Sequence, residues 1–268
     1  MDLSVERMAD GFLEVASEQR LNILILLNEK AFTITNMAKK LDATPPEVHR
    51  NFTRLTNAGL ILKNVEGDYR LTTLGETMIA QIPAIVFISK NEKYFKNHIL
   101  SNLEKKFIHT IGSLSDSEII SGYVKVSEKW KKIYENAEKF IYNILVEASY
   151  SSEIMKIIEE KLNKKVTINS IFSDSAKVTS ERKSSISKIH VDKFIENNTL
   201  ARRMKKGVKI ALIINEKEAG ISFPTSENEV DLGKMFYSSN PEFHEWCVDY
   251  FKQVWDSSGS FQETKLKD

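Results

Sequence analysis

Residues 34–75, ITNMAKKLDATPPEVHRNFTRLTNAGLILKNVEGDYRLTTLG, decide the fold of the N-terminal third of this 268-residue chain. The stretch predicts a helix, a tight turn, a second helix and a short hairpin. In the first helix, small and apolar side chains recur on one face at Met37, Ala38 and Leu41. Residues 42–44 then form the turn.

The second helix carries signals at both of its ends. Thr44 is a good N-cap, Pro45 suits the first helical position, and Glu47 stands three residues after the cap, as in a capping box. Gly59 ends the helix, and Leu60 supplies the apolar contact that follows such a glycine. The core-facing positions at helical spacing are Val48, Phe52 and Leu55.

A hairpin follows this helix. Residues 60–63 and 69–72 predict two short strands, and residues 66–68 form the turn, in which Gly67 can take a positive φ. The order of elements is that of a winged helix-turn-helix, whose second helix enters the DNA major groove. The sequence therefore predicts a winged helix-turn-helix DNA-binding domain over residues 1–75.

The outer face of the second helix is basic. Arg50 and Arg54 lie four residues apart and project from one side, and arginine reads guanine through a bidentate contact. Because the hairpin tip is acidic, we expect its strands, rather than its tip, to meet phosphate. The residues expected to contact DNA are Lys39, Lys40, Thr44, Pro46, His49, Arg50, Thr53, Arg54, Asn57, Lys63 and Arg70.

The charge of the whole domain keeps a second interpretation open. Residues 1–80 contain nine Lys/Arg and eleven Asp/Glu, a net charge of about −2, which argues against strong non-specific DNA binding. The alternative is that the winged helix binds a protein partner and no specific DNA operator, and the acidic net charge is compatible with this alternative. The two outer-face arginines favour DNA.

The ordered motif formed by these residues resembles the winged-helix domains of prokaryotic regulators, the MarR- and ArsR-like families among them. The resemblance covers roughly residues 5–80. It rests on Leu55, Gly59, Leu60, Ile61, Tyr69, Arg70, Leu71, Thr72, Leu74 and Gly75.

Beyond Gly75 the pattern predicts a helical linker or dimerisation segment over 76–115, an α/β sheet domain over 116–256 and a polar tail over 257–268 that contributes little to the fold. Strands alternate with helices of α/β length. Predicted helices cover 76–88, 91–115, 125–137, 151–163, 189–204 and 241–255, and predicted strands cover 140–146, 166–172, 208–214, 219–223 and 235–238.

The ending PEFHEWCVDYFKQVWDSS (241–258) and the preceding stretch 215–243 resemble archaeal winged-helix regulators of the methanogenesis-regulator type. The resemblance implies a phospholipase D-like sheet and a sensor domain that binds a small-molecule effector or forms a dimer. An aromatic stripe in the ending is interpreted as core packing, with a ligand box as the alternative. Cys247 is interpreted as a buried small residue, with a redox-sensing thiol as the alternative.

No motif predicts catalysis, and no metal or cofactor is expected. A phospholipase D enzyme needs a His-x-Lys pair from each half, whereas residues 190–193 read His-Val-Asp-Lys, with the wrong spacing. P-loop, GxGxxG, HExxH and GxSxG motifs are missing. A small nuclease or phosphodiesterase is the alternative, and activity that survives His190→Ala would count against it.

A basic segment lies in the C-terminal half. Residues 177–209 hold ten Lys/Arg and three Asp/Glu, a local charge of +7. Such a segment could contact an anionic effector or DNA, or be a solvated helix face behind a serine-rich lead-in. The residues to test for anion contact are Arg202, Arg203, Lys205 and Lys206.

Composition and mechanism complete the prediction. The chain is 41% hydrophobic and 28% charged, has no apolar run of the ~20 residues that span a bilayer, and is expected to be cytoplasmic. One winged helix reads only a half-site, so we expect a homodimer on a pseudo-palindromic operator. Pairing is expected through residues 3–15, the 76–88 helix, or both, and an effector would change the spacing of the two recognition helices.

Overall fold

The computed structural model describes residues 5–100, 103–148, 152–178 and 191–266. The chain divides into two compact units, Met1–Pro83 and Ala84–Asp268. It is a mixed α+β protein, and the second unit contains a large mixed sheet.

The first unit has the predicted order of helix, turn, helix and antiparallel hairpin. Its elements are α1 Val5–Val15, α2 Glu18–Glu29, α3 Ile34–Leu41, α4 Pro45–Asn57, β1 Ile61–Lys63 and β2 Tyr69–Leu71, followed by α5 Thr73–Lys90, which contains the point of division. The buried side chains that hold these elements together include Ile23, Leu24, Met37, Val48, Phe52, Leu55 and Leu60.

Both ends of α4 form as predicted. Thr44 donates its backbone N–H and its hydroxyl to the Glu47 carboxylate at 3.1 and 3.0 Å. At the other end Gly59 has φ +74°, and the N–H of Leu60 donates to the carbonyl of Leu55 at 2.9 Å, which completes a Schellman turn.

Gly75, which follows the hairpin, lies where two backbone segments approach closely. A Cβ at this position would lie 2.1 Å from the carbonyl oxygen of Leu60, so the close approach of the two backbones requires glycine. Thr72 fixes the same corner, because its hydroxyl donates to the carbonyl of Gly59 at 2.6 Å and accepts from the N–H of Gly75 at 3.1 Å.

The second unit is built on an eight-stranded sheet. Its strands are β3 Glu118–Ser121, β4 Phe140–Ala148, β5 Thr167–Val178, β6 Leu200–Lys205, β7 Ala211–Asn215, β8 Ala219–Ser222, β9 Lys234–Ser238 and β10 Gly259–Ser260. Their order across the sheet is β10-β6-β5-β4-β7-β8-β9-β3. The β4-β5-β6 run is parallel and every other pair is antiparallel, so only part of the sheet has the predicted α/β character.

Helices cover both faces of this sheet. They are α6 Glu92–Phe95, α7 Lys105–His109, α8 Tyr123–Asn136, α9 Ser152–Asn163, α10 Val191–Glu196 and α11 Pro241–Asp256. The aromatic stripe of α11 is buried in the core, which confirms core packing, and Cys247 lies among these rings. Burial raises the pKa of the Cys247 thiol well above its usual value. On the other face, α8 and α9 contribute to a second core with Ile141, Leu145 and Ile168.

The prediction of a continuous helix over 91–115 is wrong. Among the described residues of this range, 91–100 and 103–115, the helical elements are α6, α7 and a 3-10 turn at Ile111–Leu114. Backbone groups between them bond elsewhere: the N–H of Ile99 donates to the carbonyl of Pro224 at 3.0 Å. The apolar side chains that recur every four residues here, at Leu103, Phe107 and Ile111, instead enter the core of the second unit.

The prediction of a helix over 189–204 is also wrong. The chain leaves α10 through Asn198, whose φ is +56°, and continues as strand β6. Leu200 and Met204 are buried in the second core, because strand periodicity places them on one face. Residues 189 and 190 lie outside the described part of the chain.

Residues 257–266 contribute to the fold, contrary to the expectation of an inert polar tail. Strand β10 pairs with β6, the Phe261 ring lies 4.9 Å from that of Phe172, and Leu266 is buried. Polar residues separate these apolar ones, so the sequence predicts a polar tail. In the structure this segment instead forms one edge of the sheet.

In the described parts of the chain, none of the helices is long and apolar enough to cross a bilayer.

Candidate nucleic-acid interface

Helix α4 presents a complete polar face. Val48, Phe52 and Leu55 are at most 1% exposed and anchor the helix on the core. Phe52 also meets the Tyr69 ring of the hairpin edge-on at 4.6 Å. The structure leaves all eleven residues predicted to contact DNA exposed: Lys39, Lys40, Thr44, Pro46, His49, Arg50, Thr53, Arg54, Asn57, Lys63 and Arg70.

The one carboxylate of α4 is turned toward the helix N-terminus. The hydrogen bonds that Thr44 donates from its backbone and its hydroxyl lower the pKa of Glu47, and Arg50 adds a smaller electrostatic effect. Among the described residues, Arg50 forms no ion pair or hydrogen bond. Its guanidinium stands on the exposed face and acts on Glu47 electrostatically without forming an ion pair.

Arg54 is held differently. Its guanidinium lies 2.6 Å from the carboxylate of Glu14 on α1, which raises the pKa of Arg54. Glu14 also lies 3.1 Å from Arg20, whose guanidinium donates to the backbone carbonyls of Leu13 and Glu14 at 2.7 and 2.8 Å. Arg20 thus ties α1 to α2, and Glu14 ties α1 to the exposed face of α4.

Sequence reasoning missed Glu14. It is 40 residues from Arg54, and no local spacing links the two positions. The amphipathic pattern of α1 was the only available signal, and it predicts which face of a helix is buried rather than which carboxylate meets an arginine.

The remaining predicted residues surround the outer face of α4. Lys39 and Lys40 occupy the last turn of α3, and the Thr53 hydroxyl donates to the carbonyl of His49 at 2.9 Å. On the hairpin, the Lys63 ammonium lies 5.8 Å from the centre of the Tyr69 ring. Arg70 stands on β2 opposite Leu62.

The tip of the hairpin is fixed by one side chain. The amide oxygen of Asn64 accepts the N–H groups of Glu66 and Asp68 at 3.1 and 2.8 Å. Val65 beside it is fully exposed. The tip therefore carries two carboxylates and an apolar side chain, which suits a phosphate backbone poorly.

Three of the four residues predicted for anion contact have partners within the second unit. Arg203 donates to the carbonyl of Trp255 at 2.7 Å and lies over its ring, and Lys205 donates to the carbonyl of Ser257 at 3.0 Å. Arg202 lies over Phe261, with Glu263 at 3.4 Å. Of the four residues predicted for anion contact, these three hold the C-terminal segment, and Lys206 is exposed.

Other parts of the basic segment lie outside the described residues. These are the Lys177 side chain, Arg182, Lys183, Lys188 and His190. Within the described ranges, no three His, Cys, Asp or Glu side chains come together as a metal site.

Comparison with known proteins gives remote structural likenesses only. No family model matches the chain, and no curated protein matches it. TrmBL2, an archaeal chromatin protein described as showing a novel mode of DNA binding, is 11% identical over 89% of this chain and 92% of its own, with a TM-score of 0.41.

Two other solved structures each resemble about half of the chain. Nuc from Salmonella typhimurium, a phospholipase D family member, is 10% identical over 55% of this chain and 100% of its own, with a TM-score of 0.40. NucT from Helicobacter pylori is 10% identical over 55% of this chain and 99% of its own, with a TM-score of 0.41.

Proposed function

We propose that this protein is a DNA-binding transcription regulator whose first unit is a winged helix-turn-helix with α4 as its recognition helix. In this account a homodimer binds a pseudo-palindromic operator, and the second unit is a regulatory domain that responds to an effector. It has no catalytic role.

One observation carries the proposal: the exposed face of α4 combines an unpaired guanidinium at Arg50 with a carboxylate at Glu47 that is already engaged by Thr44. A nucleic-acid surface needs cations and hydrogen-bond donors without competing anions. His49, Thr53 and Asn57 extend the same exposed face.

Binding of a protein partner is the second candidate. It is favoured by the ion pair between Arg54 and Glu14, which occupies one of the two arginines, and by the acidic hairpin tip with its exposed Val65. A protein ligand for α4 would contact this face without sequence-selective DNA binding.

Selection from fragmented genomic DNA of the source organism separates the two candidates. Purified protein is incubated with the fragments at near-physiological salt, and bound fragments are sequenced. We expect wild type to enrich a short inverted repeat and Arg50→Ala/Arg54→Ala to lose that enrichment.

The matched control is Lys252→Ala/Lys265→Ala, which removes two exposed positive charges from the second unit and should leave enrichment unchanged. Enrichment of no fragment by wild type, or equal enrichment by the arginine variant, would refute DNA binding through α4 and direct the search to a protein partner.

A further inference from the structure

A small cavity opens in the second unit at the carboxyl end of β4. Its volume is about 70 Å³. Strand β4 is parallel to β5 on one side and antiparallel to β7 on the other. Crevices at the carboxyl ends of strands, where strand direction or order changes, are common ligand sites in open sheets.

One face of α8 forms a wall of this cavity. Tyr123, Val126, Ser127 and Trp130 line it, at helix positions i, i+3, i+4 and i+7. This spacing aligns the four side chains in one row. The Tyr123 side chain is 55% exposed, so an aromatic ring stands where the cavity meets solvent.

The described side chains that line the cavity are mostly apolar, Tyr123 and Ser127 add hydroxyl groups, and Glu147 is the one among them that carries a charge. Glu147, near the end of β4, contributes the carboxylate, while Ile154 and Ala211 add apolar surface. Glu147 is partly buried, and it forms no hydrogen bond or ion pair within the described parts of the chain. A partly buried carboxylate beside aromatic rings favours a cation, because both the charge and the ring faces attract it.

We propose that this cavity binds a small primary amine, with the ammonium group at Glu147 and a branched or short aliphatic group against Trp130 and Val126. The volume sets the size of the apolar group: it is about half of the ~150 Å³ of a dry cavity that accepts benzene. By proportion to benzene, an apolar group of roughly three or four carbon atoms matches it. That such an amine acts as the effector rests on the proposed function; its binding does not.

The probe that matches this description is 2-methylpropylamine, with 2-methylpropan-1-ol as its neutral and 3-methylbutanoate as its anionic counterpart. Calorimetric titration of the full chain should show binding of the amine, at least tenfold weaker binding of the alcohol, and none of the acid. Glu147→Gln should weaken amine binding at least tenfold and bring it to the level of the alcohol.

Two further variants keep the experiment decisive. Glu159→Gln removes an exposed carboxylate from α9 and should leave amine binding unchanged. Lys177 lies opposite Glu147 in the register of β4 and β5, so Lys177→Gln is titrated as well, to remove any competing ammonium of the chain. Absence of amine binding to both wild type and Lys177→Gln, or equal binding of amine and acid, would overturn the proposal.

Operator binding is measured afterwards with and without the amine. Amine binding that leaves operator affinity unchanged would reject the effector role and retain the site. Failure of DNA binding altogether would reject the proposed function and leave the calorimetric result standing.

Discussion

The two outer-face arginines of α4 are equivalent in sequence but differ in structure. Their spacing of four residues predicts a pair that projects from one side of the helix. Arg50 forms no ion pair or hydrogen bond among the described residues, whereas Arg54 is paired with Glu14 of α1. Helical periodicity cannot reveal a contact between residues 40 positions apart. The sequence therefore predicts that both arginines are exposed, but not that one of them forms an ion pair.

Removal of the Glu14 charge tests this difference. Glu14→Gln should strengthen operator binding, because Arg54 can then contact a DNA phosphate without first breaking its ion pair with Glu14. The dependence of log Kd on log salt should steepen by about 0.9, which corresponds to one additional phosphate contact. Fluorescence anisotropy on the selected operator measures both quantities.

Glu18→Gln on α2 is the control for the loss of one negative charge near the interface. Equal affinities and slopes for Glu14→Gln and Glu18→Gln would show that the ion pair does not limit Arg54.

The capping box at Thr44 and Glu47 gives a pH-dependent prediction. Because the folded-state pKa of Glu47 lies below the ordinary value of 4.5, its ionised form stabilises the fold at pH values above the unfolded pKa, and this stabilisation is lost as the pH falls through the folded pKa. Glu47→Gln should therefore lower the Tm at pH 7, and the decrease should be smaller at pH 3.

Thermal unfolding followed by circular dichroism at both pH values provides the measurement. Glu29→Gln, an exposed carboxylate at the end of α2, serves as the comparison. A Tm difference for Glu47→Gln that is the same at pH 3 and pH 7 contradicts the assignment.

At the scale of elements, local signals with a stereochemical cause predict structure best. The N-cap, the glycine after α4 and the hairpin turn each fix backbone geometry within a few residues, and each forms as expected. The helix predictions for 91–115 and 189–204 fail because the backbone partners of these segments are distant in sequence, although their apolar spacing is compatible with a helix. Ile99 bonds to Pro224, and strand β6 pairs with β5.

The C-terminal segment offers an element-scale test. Leu266→Ala removes a buried side chain and should lower the free energy of unfolding by about 2 kcal/mol. Lys265→Ala, an exposed neighbour, should change it by less than about 0.5 kcal/mol. Urea denaturation monitored by tryptophan fluorescence distinguishes the two. Equal stability of both variants would restore the interpretation of residues 257–268 as an inert tail.

At the scale of the whole molecule, the sequence predicts a winged-helix order in the first unit and a sheet domain in the second, and it identifies the exposed basic residues of α4. The Glu147 cavity could not be predicted, because its walls come from α8, β4, α9 and β7, and their meeting depends on sheet order. The same holds for the basic residues of β6, whose partners lie more than 50 residues away.

We predict that the protein is a dimer that pairs through α1. Phe12 and Leu13 on α1 are 61% and 60% exposed, and adjacent exposed apolar side chains of this size favour burial against a partner. Sedimentation equilibrium should give a particle of twice 30.7 kDa, and Phe12→Glu/Leu13→Glu should give the single mass. Val124→Glu, equally exposed in the second unit, should remain dimeric. A monomeric wild type would contradict pairing through α1.

A salt titration of binding decides whether α4 reads DNA. Affinity for the selected operator and for a scrambled duplex of equal length is measured between 50 and 300 mM salt for wild type, Arg50→Ala/Arg54→Ala and Lys252→Ala/Lys265→Ala. We predict that wild type and the lysine control prefer the operator by roughly 10³-fold or more. The arginine variant should lose that preference and bind with a shallower salt slope. Equal affinity of wild type for both duplexes, unchanged by the arginine substitutions, would contradict the claim.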